Sequence, residues 1–232
     1  MNLRKRSYQK ELLDNDNIPF ADIRQNMQEL DTINTLLGGH KITFKGFNAL
    51  RGNKKQIHVC EIGCGGGDNL AAIYRWCKKN GVQVTFTGID IKDECILFAK
   101  TKTELQTCTQ WITSDYKKAD FASQPDIIFS SLFCHHFTDE ELITQLQWMQ
   151  QKSSVGFFIN DLQRHSLAYY SIKMLTQLFS RSYLVKNDAP LSVARGFSKN
   201  DWRYIFTKAG IHSYSIQWQW AFRYLLIHRH VQ

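Results

Sequence analysis

The chain has 232 residues, of which 43% are hydrophobic and 22% charged, with only 3 Pro and 13 Gly; this excludes a disordered or collagen-like chain and fits one medium domain with appendages. The 29 Lys and Arg against 21 Asp and Glu leave a formal charge of +8, which keeps nucleic acid or an acidic surface open as a partner. No apolar run approaches the roughly 20 residues that cross a bilayer, and the opening Met-Asn-Leu-Arg-Lys-Arg leads into polar residues rather than a signal-peptide core, so a cytoplasmic protein is expected.

In chain order, residues 1–50 read as helical pieces, with Ile33, Leu36 and Leu37 on one face before a Gly38-Gly39 stop and a short Ile42-Thr43-Phe44 stretch. They are expected to form a helical cap on a domain spanning 51–232. From residue 56, short β-branched or aromatic runs alternate with amphipathic stretches, the pattern of βα units around a parallel sheet. Strands are predicted at 56–62, 83–90, 109–113, 125–130 and 154–160, and helices at 67–80, 92–105 and 138–151. Thr138 and Glu141 stand at capping-box spacing at the start of the last. Residues 162–200 form an insertion after the fifth strand, with a helix predicted at 166–181 where Leu167, Met174, Leu175, Leu178 and Phe179 recur at helical spacing; such additions roof a site. A capped helix follows from Ser198 to Ala209, closed by Gly210. Segments 211–218 and 221–229 are joined by too few residues for a parallel crossover and should pair antiparallel. The six cysteines (Cys60, Cys64, Cys77, Cys95, Cys108, Cys134) contain no C-x-x-C pair and sit mostly in apolar segments. They are read as reduced and structural, and no disulfide or metal site is expected.

The most informative stretch is Val59-Cys60-Glu61-Ile62-Gly63-Cys64-Gly65-Gly66-Gly67-Asp68, a strand running into a glycine loop and then a helix. Glycines let the backbone turn sharply and approach a ligand, with helix N–H groups aimed at it. The dinucleotide fingerprint G-x-G-x-x-G fails, because its sixth position is Asp68, and no P-loop lysine motif is present. What remains is Glu-x-Gly-x-Gly-x-Gly at Glu61, Gly63, Gly65 and Gly67. Further on, the second strand ends in Gly88-Ile89-Asp90-Ile91, the third in Ser114-Asp115-Tyr116, and the fourth in Ser130-Ser131-Leu132-Phe133-Cys134-His135-His136-Phe137.

Over roughly residues 56–161 these ordered signals resemble the class I S-adenosylmethionine-dependent methyltransferases, in particular their ubiquinone-methylase-like branch. The resemblance implies a Rossmann-like, doubly wound, mostly parallel seven-stranded α/β sheet with an antiparallel C-terminal strand, and S-adenosylmethionine as cofactor. It implies that Glu61 places the cofactor's methionine end, that Gly63, Cys64, Gly65 and Gly67 give close backbone contact, and that Asp90, with Ile91 beside it, holds the ribose hydroxyls. Ser114, Asp115 and Tyr116 would meet the adenine, although Asp115 alone suits a surface turn as well. Ser130 and Ser131 complete the crevice.

Methyl transfer from a sulfonium is an in-line displacement, so the enzyme gains most by alignment at roughly 3 Å. For a hydroxyl acceptor a base takes the proton, and His135, His136 and His165 all follow the carboxyl ends of strands. A histidine in a buried turn can equally just satisfy backbone groups. Adjacent side chains in an extended segment point opposite ways, so only one of His135 and His136 is expected to reach the site. Tyr169 and Tyr170 in the insertion are candidate substrate contacts, and Arg195 either binds an acidic group of the substrate or is a solvated loop arginine. The place where nucleobase amino-methyltransferases carry Asn/Asp-Pro-Pro-Tyr/Phe reads Ser130-Ser131-Leu132-Phe133 here, which disfavours nucleic acid. The expected reaction is methylation, at oxygen, of an aromatic, quinone-like or polyketide-like small molecule by a monomer or homodimer. An RNA or protein methyltransferase, and a catalytically silent cofactor-binding subunit, are the alternatives.

Overall fold

The computed structural model describes residues 2–15 and 17–230. A seven-stranded sheet forms its centre, built from β1 (Gln56–Ile62), β2 (Gln83–Asp90), β3 (Thr109–Thr113), β4 (Ile127–Ser131), β5 (Gly156–Leu162), β6 (Tyr214–Gln219) and β7 (Arg223–Arg229). The strand order is β3-β2-β1-β4-β5-β7-β6. The first five strands run parallel, and β7 is antiparallel to both β5 and β6. The order reverses between β1 and β4, so a crevice opens at their carboxyl ends, where open α/β sheets bind ligands.

Helices α3 (Asp68–Lys79), α4 (Asp93–Ala99), α5 (Asp139–Lys152) and α8 (Lys199–Lys208) belong to the βα repeat, while α1 (Phe20–Leu36) and α2 (Gly39–Arg51) precede it. One apolar cluster packs the α5 and α8 side, around Ile128, Phe157, Trp202 and Phe206; the other packs the α2 and α3 side, around Phe47, Ile57, Leu70, Phe129 and Phe158. Both faces of the central strands are buried, as their continuous apolar runs require. The capping box of α5 forms as its spacing requires, Thr138 Oγ1 accepting from the Glu141 N–H and Glu141 Oε2 from the Thr138 N–H.

Three sequence expectations change. Ile42-Thr43-Phe44 lies inside α2, because Gly38 at φ 77° turns the chain directly from α1 into a second helix. The helix expected over 92–105 ends at Ala99; Lys102 is extended, and a separate 3-10 turn at Thr103–Leu105 buries Leu105. The 162–200 insertion holds two helices, α6 (Ser166–Phe179) and α7 (Tyr183–Arg195). The second was hidden by Asn187-Asp188 and by Pro190 in its middle. It forms nonetheless because Ser182 caps its start and Leu184, Val185, Leu191, Val193 and Ala194 are buried, so packing overrides the poor local preference.

Candidate functional site

The parallel register fixes the base of the site. Glu61 on β1 is level with Gly88 on β2 and Phe129 on β4, and Asp90 on β2 is level with Thr113 on β3. The segments leaving these strands therefore lie side by side. They line one cavity of about 830 Å³, the size range of small-molecule sites.

On its polar side stand Glu61, Gly63, Cys64, Gly65, Asp90, Ile91, Ser114, Asp115, Tyr116 and Ser131, so most of the predicted cofactor residues come together. Gly65 has φ 50°, and a Cβ built on it would meet no atom within 4 Å, so its bare backbone faces open space. Asp90 Oδ2 accepts from the Gly65 N–H at 2.9 Å and Oδ1 from the Lys92 N–H at 3.0 Å, tying the second strand to the loop. Burial raises the Asp90 carboxyl, and these bonds only partly offset it. Glu61 is fully buried; Oε1 accepts from Asn69 Nδ2 at 2.8 Å, whereas Oε2 has no hydrogen-bond partner among the described residues. Burial pushes the Glu61 carboxyl well up, and the nearby Asp68 and Asp90 add to the rise. A cationic group beside Oε2 would remove that cost.

Two of the predicted cofactor residues lie behind the wall of the cavity. Gly67 caps α3 at φ 74°, and its missing side chain makes room for Trp111, whose ring would stand 2.7 Å from a Cβ there. Ser130 is buried beneath the loop, its Oγ 3.3 Å from Cys134 Sγ. Neither lines the cavity.

The same cavity carries the histidines. Cys134–His136 is a 3-10 turn, in which consecutive side chains are about 120° apart rather than 180°. The expectation that only one ring reaches the site is thereby corrected: both line the cavity, with centroids 4.4 Å apart. His135 Nδ1 lies 2.8 Å from Asp161 Oδ1 and His136 Nδ1 lies 3.4 Å from Asp14 Oδ1. Asp161, wholly buried, also accepts from the Cys134 and Leu162 N–H groups at 2.7 Å each. Burial would raise its carboxyl, but the His135 charge and these bonds outweigh it and hold the pKa low.

Three other predicted residues are placed elsewhere. His165 caps α6, accepting from the Leu167 N–H, and lies outside the cavity lining, stacked on Phe222, which does line it. Tyr169 and Tyr170 also lie outside that lining; the residues of α6 that face inward are Leu167, Ala168, Ser171, Ile172 and Leu175, one helical face away. Arg195 is not a solvated loop residue: it is buried and lies outside the cavity lining. Its buried guanidinium donates to the His135 carbonyl (3.0 Å), the His136 carbonyl (2.8 Å) and the Gln9 carbonyl (2.9 Å), and pairs with Asp14 at 3.2 Å, clamping the histidine turn to the N-terminal segment.

Glu11 and Arg223 are cavity residues that sequence reasoning missed. Glu11 sits 50 residues before the glycine motif at Glu61, marked only by its acidic partner in Glu11-Leu12-Leu13-Asp14. In the fold, the Leu12 and Leu13 N–H groups donate to the two oxygens of Asp188 (2.8 and 3.0 Å), which carries Glu11 over the histidines. Arg223, in the antiparallel β7, donates to Asn34 Oδ1 at 2.9 Å, and burial lowers its pKa to about 10. The rest of the roof is mostly apolar, with Met27, Leu30, Ile33 and Leu37 from the N-terminal segment and Ile172 and Leu175 from α6, interrupted by Asn26, Asp31 and Asn34 of α1.

A parallel sheet with this strand order, an antiparallel seventh strand and a glycine loop over an acidic second strand define the class I methyltransferase fold. The model of a family described as a methyltransferase domain matches residues 53–210. The chain belongs to that family and is an S-adenosylmethionine-dependent methyltransferase. No curated protein matches it by sequence. Among solved structures it is similar to the plantazolicin methyltransferase BpumL in complex with SAH (20% identity, TM-score 0.62, covering 88% of this chain and 74% of that one). It is also similar to a SAM-dependent methyltransferase from Aquifex aeolicus (16%, 0.63, 93% and 100%) and to human N-acetylserotonin methyltransferase with SAM (16%, 0.62, 91% and 56%). Two observations of this chain fit the cofactor: the orphaned Glu61 Oε2 suits an ammonium group, and the open space over Gly65 suits close approach of a ligand.

Proposed function

We propose that this methyltransferase acts on a hydroxyl group of a small molecule with an apolar aromatic, quinone-like or polyketide-like body. The observation that carries the reading is that the imidazole pair His135 and His136 lines the same cavity as the glycine loop, under a mostly apolar roof. The cofactor supplies a methyl carbon on a sulfonium, activated before it reaches the protein. Glu61 holds its ammonium end, Gly63, Cys64 and Gly65 line its path, Asp90 meets the ribose, and Ser114 to Tyr116 border the adenine.

The acceptor lies between the loop and the histidines, its apolar body against Met27, Ile33, Ile172 and Leu175. His136 is the better-placed base, since its side chain is 25% exposed whereas that of His135 is 3% exposed. Asp14 beside Nδ1 leaves Nε2 free to take the hydroxyl proton, and the Asp161–His135 pair keeps the turn in register. The N-terminal segment acts as a partial cap, because Glu11, Asp14 and residues of α1 line the cavity and narrow its access to water. A concave cavity of about 830 Å³ favours a compact acceptor over a folded RNA or protein.

The test is a methylation screen of hydroxylated aromatic and quinone-like compounds with labelled adenosylmethionine. Transfer to oxygen, reduced at least about tenfold in kcat by His136→Ala, supports the reading. Cofactor binding with transfer only to nitrogen or to RNA contradicts it.

A further inference from the structure

Glu11, His135 and His136 form a cluster whose geometry goes beyond a pair of bases. One ligand atom from each lies within 4.8 Å of the others. His135 Nε2 stands 3.7 Å from Glu11 Oε1 and His136 Nε2 stands 3.9 Å from Glu11 Oε2. These separations are too long for hydrogen bonds. They are slightly wider than the edge of about 3.3 Å expected between ligands about 2.0–2.1 Å from a tetrahedral zinc ion. The outer contacts match as well. Each imidazole turns Nδ1 toward a carboxylate, His135 to Asp161 at 2.8 Å and His136 to Asp14 at 3.4 Å, and each turns Nε2 toward Glu11. That carboxylate–histidine arrangement fixes the tautomer in metal sites and leaves Nε2 as the ligand atom. Satisfying Glu11 with two imidazolium ions instead would set two positive rings 4.4 Å apart, at a cost in repulsion.

We propose that Glu11, His135 and His136 bind a divalent transition-metal ion of the zinc type, with at least one coordination position open toward the cavity. Two histidines and a carboxylate are the donor set of several metal sites that keep a position for water or substrate. The assignment deepens the hydroxyl reading without depending on it for its evidence. In the metal-free protein His136 Nε2 is the proton acceptor described above; with the ion bound, both Nε2 atoms are ligands. The acceptor's oxygen then occupies the open position, and its proton passes to solvent as the ion's charge lowers the hydroxyl pKa. Arg195 and Asp188 hold the two halves of the site together, one on the histidine turn and one on the Glu11 segment.

The 232-residue chain, stripped with a chelator, is titrated calorimetrically with Zn²⁺, and with Co²⁺ while its visible absorption is followed. One equivalent should bind. Glu11→Gln and His136→Gln should each weaken it at least about 100-fold, and Asp14→Asn about 10–100-fold. S-adenosylhomocysteine affinity of the same preparations reports that each variant is folded. The absence of stoichiometric binding by the native chain overturns the metal site and leaves the hydroxyl reading standing on His136. Equal binding by the native chain and the folded Glu11→Gln and His136→Gln variants places the ion elsewhere and also overturns it.

Discussion

Glu61 and Gly65 face the same crevice for different physical reasons, and substitution separates them. Gly65 is bare backbone at positive φ beside open space, so Gly65→Val strains the loop by about 1–2 kcal/mol and fills the crevice. S-adenosylhomocysteine affinity should fall by at least about 100-fold in calorimetry. Glu61→Gln keeps the shape and the bond to Asn69 but removes the charge that an ammonium would meet; a loss of about tenfold is expected, with the fold unchanged. Arg195→Ala acts on stability instead. It leaves the His135, His136 and Gln9 carbonyls without their donor and should cost about 2–4 kcal/mol in urea unfolding, since buried groups left unpaired cost about 1–3 kcal/mol each. Arg195 also shows why some roles could not be read from sequence. Its neighbours Gly196 and Phe197 suggest a loop, whereas the contacts that bury it come from residues 59 to 186 positions away.

The βα repeat was legible because each strand is a short apolar run ended by Gly, Asp or Ser, and because Glu61, Gly63, Gly65 and Asp90 follow strand ends directly. What was not legible arises from tertiary override. Helix α7 is made by burial despite Pro190, and the 3-10 turn at 134–136 brings two histidines together where an extended segment would part them. The placement of residues 9–14 over the histidines rests on Asp188, Ser192 and Arg195 of α7, of which Asp188 alone holds the Leu12 and Leu13 N–H groups, and no local pattern connects these side chains to the N-terminal segment. Asp188→Ala should therefore release the N-terminal turn while α1 stays docked. Hydrogen exchange at the Leu12 and Leu13 amides should accelerate at least about tenfold, with the amides of the central strands unchanged.

Over the whole molecule, the net charge of +8 is spread over small surface groups, and several acids are tied into the structure that it surrounds. Burial alone would raise Asp126, but Lys54 at 2.7 Å, the His58 N–H at 2.9 Å and Ser154 outweigh it and hold its carboxyl below the ordinary value. Glu29 is also lowered: Ser180, Gln25 and the Arg181 and Ser182 N–H groups outweigh its burial and tie α1 to the corner between α6 and α7. A folded pKa below the unfolded one means that the unfolded chain binds more protons as pH falls, so this stabilisation is present above about pH 4–5 and is lost below it. The contribution of Asp126 and Glu29 to the urea midpoint should be flat from pH 7 to about 5 and then fall. Asp126→Asn should reduce that acid slope while lowering stability at neutral pH.

The membership of a methyltransferase family, the strand order and the orphaned Glu61 oxygen converge on one event, the seating of adenosylmethionine over the Gly63–Gly65 loop. Calorimetric titration of the full chain with S-adenosylhomocysteine tests it most directly. One equivalent should bind with micromolar or tighter affinity, and Asp90→Ala should weaken it at least about tenfold. A folded native chain that takes up neither adenosylhomocysteine nor adenosylmethionine would contradict it.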